Sequence, residues 1–316
     1  MTILMTGLCE KGADQIWKQC NDAMYAQGVT WLEEAAYAGD AEAWFFLGHC
    51  YSWGDGAVGF NEKKAYECYL RGASAGSARA VLGALRAGQY DEQMKQSARY
   101  SIEESYRQVR DAAEMGDVYA AWQMGEAVEW EDLVDYMPQT ESAREQCLFW
   151  YERAADGGII PAMVKMGKCC QNGTYREKDE KEALRWANQC AASGEVWGLF
   201  QMGEHYRQEE DWEAAFQYDY AAAKQGSSRA MLYLGQMYLN GQGTERDIQA
   251  AVQALEGAAA RNEAESFEEL GNLFYQDELV ERDDEKAFYW YGKAYAAGIK
   301  EAALPLARLY LRPSDE

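Results

Sequence analysis

Residues 230–262, AMLYLGQMYLNGQGTERDIQAAVQALEGAAARN, decide the fold, and residues 266–298, SFEELGNLFYQDELVERDDEKAFYWYGKAYAAG, repeat their pattern at matching offsets. Each opens on a small residue, Ala230 or Ser266. Leu-Gly follows four places on, and an aromatic stands three places after that glycine. A polar turn comes next, then an alanine-rich segment ending at Asn262 or Gly298. Glycine and asparagine enter the left-handed backbone region at low cost, so each marks a helix C-terminus. Working outward, Gly39, Gly76, Gly116, Gly158, Gly194 and Gly226 end similar segments, at spacings of 37, 40, 42, 36, 32, 36 and 36 residues through all eight caps.

Counting forward from the caps gives helix A of each unit. Four places on stand Ala43, Ala80, Ala120, Ala162, Gly198, Ala230, Ser266 and Ala302. Eight on stand Leu47, Ala84, Met124, Met166, Met202, Leu234, Leu270 and Leu306, and twelve on mostly aromatics such as Tyr51, Tyr206, Tyr238 and Phe274. These offsets lie along one helical stripe. Small residues at plus four and plus nine admit a close neighbour. Counting backward gives helix B, with Trp31, Trp150, Trp186, Tyr218 and Trp290 eight before their caps. A lone pair of helices cannot close its own core, so units must stack. The expected organisation is one repeat domain, 1–316. It comprises an N-terminal hairpin (1–39), seven repeats (40–76, 77–116, 117–158, 159–194, 195–226, 227–262, 263–298) and a capping helix and tail (299–316), with Pro305 expected to kink that last helix.

These residues resemble the Sel-one-like repeat family, relatives of the tetratricopeptide repeats. The resemblance rests on Ala230, Leu234, Gly235, Tyr238, Gly241, Gly243, Asp247, Ala251 and Ala258, and on Leu270, Gly271, Asp283, Lys286, Ala287, Trp290, Tyr291, Lys293, Ala294 and Gly298. Gly54, Gly56, Lys64, Ala65 and Tyr69 carry it in 43–76. It implies an all-α, right-handed α/α superhelical solenoid that binds another protein along a concave side lined by helix A. Repeat 77–116 departs, with Leu85 for the plus-nine glycine and Gly88 for the aromatic. Repeats 77–116 and 117–158 carry extra loop residues, and 195–226 has lost four.

The composition narrows the function. A net charge of −23 argues against phosphate-backbone and anionic-membrane binding and favours a basic protein or peptide as partner. Segment 101–145 alone contributes −9, from twelve acidic and three basic residues. The eight cysteines make no CxxC and no regular framework, and no apolar run is long enough to span a membrane. The N-terminus lacks the pattern of a signal peptide. The expected residence is the cytoplasm.

No constellation calls for catalysis or a cofactor. His49 and His205 lie in distant repeats, whereas a nucleophile–base pair needs hydrogen-bond contact. Adjacent Cys169 and Cys170 point roughly 100° apart on a helix and read as apolar fillers, so no metal is expected. Gly54–Gly59 spells GxGxxG, but a helix precedes it where a nucleotide fingerprint needs a strand. The acidic run Glu129, Glu131, Asp132, Asp135 lacks the glycine and spacing of a calcium loop.

What remains is surface. Opposite the buried stripe, offsets three, seven, ten and fourteen of helix A should face outward. In the candidate face they place Tyr119 and Trp197, then Phe46, Gln123 and Tyr233, then His49, Arg86 and Glu126, then Trp53, Tyr90 and Trp130. With acidic Glu131 and Asp132 these are the candidate partner-binding residues. Aromatic anchors among polar neighbours are the composition of binding hot spots. Equally, Trp53, Tyr90 and Trp130 fit local packing under the longer loops. The first reading is a non-enzymatic scaffold, with an immunity or inhibitor role as one form implied by the resemblance. The alternatives are an enzyme of the β-lactamase or penicillin-binding type, to which cysteine-rich relatives are linked, and an acidic nucleic-acid mimic.

Overall fold

The computed structural model describes residues 7–18, 22–54, 58–129, 143–276 and 279–311. Among them every regular element is helical. The chain divides into two compact units, 1–195 and 196–316, and the division falls just after the cap at Gly194. The first unit holds α1 (Gly7–Trp17), α2 (Asp22–Tyr37), α3 (Ala41–Trp53), α4 (Glu62–Ala75), α5 (Ala78–Arg86), α6 (Glu92–Ser97), α7 (Ile102–Glu114), α8 (Val118–Glu129), α9 (Ala143–Asp156), α10 (Ile160–Asn172) and α11 (Glu180–Ala192). The second holds α12 (Val196–Gln208), α13 (Trp212–Lys224), α14 (Ser228–Asn240), α15 (Ile248–Ala259), α16 (Ala264–Tyr275), α17 (Asp284–Ala296) and α18 (Ala303–Tyr310).

The caps set the architecture. All eight expected cap residues have positive φ, from 60° at Asn262 to 103° at Gly76. Each is followed by the same bond, from the next backbone N–H to the carbonyl five residues back, as in Ser77 N to Gly72 O (2.9 Å) and Ile299 N to Ala294 O (3.0 Å). That pairing closes the last turn of helix B and reverses the chain into the next helix A. Acidic and hydroxyl side chains cap the opposite ends. Asp40, Ser77, Asp179, Ser227, Asp247 and Asp283 each accept a backbone N–H in the first turn.

Packing follows the offsets. The plus-four residues are buried in every repeat, and so is the plus-eight stripe up to Leu270. The plus-nine glycines let rings lie flat on the helix backbone. A Cβ on Gly48 would meet the Tyr69 ring at 2.6 Å, and one on Gly125 or Gly271 would meet Tyr151 or Tyr291 at 2.8 and 2.7 Å. Each unit has its own hydrophobic core, one gathering residues from Cys9 to Trp186, the other from Leu232 to Ala302.

Two details depart from expectation. The extra loop of repeat 77–116 is a short helix, α6, whose Met94 is fully buried and whose cap Asp91 accepts the Tyr66 hydroxyl proton. Pro305 does not kink a continuous helix. A 3-10 turn (Lys300–Ala302) precedes α18, so the proline stands in the first turn of α18, where no intrahelical donor is lost.

Candidate functional site

Helices α3, α5 and α8 are the A helices of three consecutive repeats, and their outward offsets share one face. The structure corrects what that face looks like. Phe46, His49, Tyr119 and Gln123, expected to face solvent, are buried. The cause is α1. Its Trp17 packs against Phe46 (5.2 Å between ring centroids), His49 (5.6 Å), Trp122 (5.7 Å) and Tyr119 (6.4 Å). The Tyr119 hydroxyl donates to Asp14 at 2.6 Å. Burial and this acidic neighbour push the Tyr119 phenol far above its ordinary pKa. Phe46 and Tyr119 are therefore internal core.

A buried charge cluster underlies it. Arg79 is fully buried. It is ion-paired with Asp117 and lies 3.8 Å from Glu42. Burial, more than any neighbour, holds the Glu42 carboxyl above its usual range, while Arg79 opposes the shift. Gln123 Nε2 donates to the Arg79 carbonyl at 3.0 Å. These bonds tie α3, α5 and α8 together. Glu42 and Arg79 occupy the same offset in successive repeats, a complementary pair that sequence counting passed over. Trp17 was missed because it precedes the first cap, and Trp122 because it lies off the outward stripe.

Five of the candidate residues do come together in one crevice. His49, Trp53, Arg86, Gln123 and Glu126 line it, with Phe45 and Tyr69 as aromatic walls. Glu126 lies 3.8 Å from His49 Nε2. Arg86 lies 5.1 Å from the centre of the Trp53 ring, which is half exposed at the rim. Gln123 Oε1 is buried, with no hydrogen-bond partner among the described residues.

The other candidates are placed elsewhere. Tyr90 is half-buried against the core of the first unit, which is local packing. Trp197 and Tyr233 belong to the second unit. There Arg207 stacks on Tyr233 at 3.7 Å and is ion-paired with buried Asp219. Trp130, Glu131 and Asp132 lie outside the described residues.

The remaining chemistry is sparse. Among the described residues no group of three or more His, Cys, Asp or Glu is placed to hold a metal. Seven cysteines are buried, and Cys20 lies outside the described residues. Burial pushes the Cys68 and Cys147 thiols up to about 12, so they stay protonated and poorly nucleophilic near neutrality. No helix among the described residues is long and apolar enough to cross a membrane.

The family model for the Sel1 repeat matches residues 23–40, 41–77, 118–159, 160–195, 228–262 and 268–299, well over half of the chain. The chain belongs to the Sel1 repeat family. The matched stretches leave out 78–117 and 196–227, two of the repeats whose sequence departs from the pattern. An uncharacterised protein of Neisseria meningitidis serogroup B, NMB1327, is 28% identical over 156 residues, covering 48% of this chain and 30% of that protein. The chain thus spans less than a third of that relative. Two solved structures share the Sel1 fold. One is c5321, a protective antigen of uropathogenic Escherichia coli strains, at TM-score 0.56 and 20% identity, covering 93% of this chain and 72% of that one. The other is a Sel1 repeat protein from Oxalobacter formigenes, at TM-score 0.55 and 22% identity, covering 96% and 85%.

Proposed function

We propose that this Sel1 repeat protein is a non-enzymatic scaffold that binds a basic protein partner at the crevice between α3, α5 and α8. The observation that carries the reading is the convergence of Trp53, Arg86, Gln123, Glu126 and His49, from three successive repeats, on one opening in a chain of net charge −23. A half-exposed tryptophan beside buried polar groups is the anatomy of an interface hot spot. The acidic field around it speeds the approach of a basic partner and makes that approach sensitive to salt. An immunity or inhibitor role is one narrower form of this reading, in which the partner is a single cognate protein. The buried free thiols of Cys68 and Cys147 support residence in a reducing compartment, the cytoplasm.

The test is partner capture from the native organism with the full chain, its W53A variant and its E126K variant. A protein recovered by the full chain and depleted at least about tenfold by either substitution supports the reading. Recovery of no protein, or of the same proteins by all three chains, overturns it.

A further inference from the structure

We propose that the crevice is a receptor for a lysine ammonium group presented by the protein partner, an inference that rests on the scaffold reading above. Three features of the crevice select this chemistry. The first is an unmet acceptor. Gln123 is 6% exposed, its amide nitrogen is committed to the Arg79 carbonyl, and its Oε1 has no hydrogen-bond partner among the described residues. A buried carbonyl left so carries a desolvation cost that a donor would relieve.

The second is charge. The Glu126 carboxylate lines the same space. The Trp53 face already holds one cation, Arg86, so the aromatic wall is of a kind that favours positive charge.

The third is size. The cavity measures about 20 Å3, room for roughly one water. An ammonium is compact and carries three donors, whereas a guanidinium is a wide planar fork. A lysine tip fits where an arginine tip does not. Arg86 is a like charge in the same lining and weakens the attraction without removing it.

The experiment uses the full chain and three capped peptides, acetyl-Gly-Lys-Gly-amide and its arginine and Nε-acetyl-lysine counterparts, titrated by tryptophan fluorescence and by ligand-observed NMR. Saturable binding of the lysine peptide, at least about tenfold tighter than the other two, is expected, because acetylation removes the charge and the guanidinium is too wide for the cavity. Methylammonium should compete. Q123L and E126Q should each weaken the lysine peptide about tenfold or more, and R86M should tighten it. Gln123 is buried, so E126Q, at a partly exposed position, keeps the test open if Q123L does not fold.

Equal binding of lysine and acetyl-lysine peptides, or no binding of either, overturns the inference and leaves the crevice as the seat of one bound water. Loss of binding in R86M overturns it in favour of an anion site. Partner capture separates the two readings. A captured partner that ignores Q123L and E126Q sinks the ammonium site and spares the scaffold. Specific lysine-peptide binding without any captured partner does the reverse.

Discussion

Asp219 occupies the position, seven before its cap, where other repeats place Tyr69, Tyr151, Leu255 or Tyr291. Those side chains rest on the plus-nine glycine of helix A. Here a Cβ on Gly203 would come within 2.5 Å of Asp219 Oδ1. The carboxyl is fully buried and paired with Arg207, and burial raises its pKa to about 6 against an ordinary 3.8. The folded protein therefore holds this proton more tightly than the unfolded chain does. Stability from this group is greatest below about pH 4, falls as pH rises between the two values, and levels off above about pH 6. Over that window the loss approaches about 3 kcal/mol. Urea unfolding at pH 4 and pH 7.5 should show the D219N variant losing less stability than the parent across the interval. Parallel behaviour of the two proteins would mean that ionising Asp219 costs nothing. The sequence signalled this site only as a charge in an apolar slot. The partner Arg207 was legible only as a residue one turn beyond the glycine.

At the scale of the element, the hairpins were readable because each is punctuated chemically. The eight positive-φ caps lie where the alanine-rich segments end, and the plus-four stripe is buried throughout. The glycine-on-ring contact can be tested against helix propensity. Replacing Gly48 by alanine gains about 1 kcal/mol of intrinsic helix preference. Forcing a methyl into the fully buried Tyr69 ring costs about 1–3 kcal/mol. A net loss of stability is expected for G48A in chemical denaturation, and a gain would show that the ring gives way. What could not be read was α1. Offsets are counted from caps, and α1 precedes the first one, so nothing announced that Trp17 would cover Phe46, His49 and Tyr119. Those residues were assigned to solvent by a periodicity that knows two faces of a helix but not a third helix laid across them. Truncating Trp17 to alanine removes a buried side chain in contact with four rings and should cost about 3–5 kcal/mol of first-unit stability, read as a lower urea midpoint. A change within error would mean that α1 rests loosely on the face.

For the whole molecule, charge and periodicity carry different information. Part of the acidity is structural: Asp40, Asp117, Asp179, Asp211, Asp247 and Asp283 accept first-turn amides of their helices, where negative charge also favours the helix dipole. The total of −23 therefore overstates what is free to meet a partner. Periodicity, for its part, showed a repeat array but not the division at Glu195, because a repeat pattern records which residues recur and not where one compact unit ends. Stability in such an array is a sum over repeats and their neighbour contacts, so each compact unit can melt as a cooperative body of its own. The hydrophobic cores on either side are separate, and the repeat that opens the second unit, 195–226, is the one that lost four loop residues. Fragments 1–195 and 196–316 should each fold alone, with helical circular dichroism and a cooperative urea transition. The full chain should show both transitions at the fragments' midpoints, and Q123L should move only the first while D219N moves only the second. One shared transition in the full chain, with either fragment unfolded, would show instead that the two units stabilise each other as a single cooperative array.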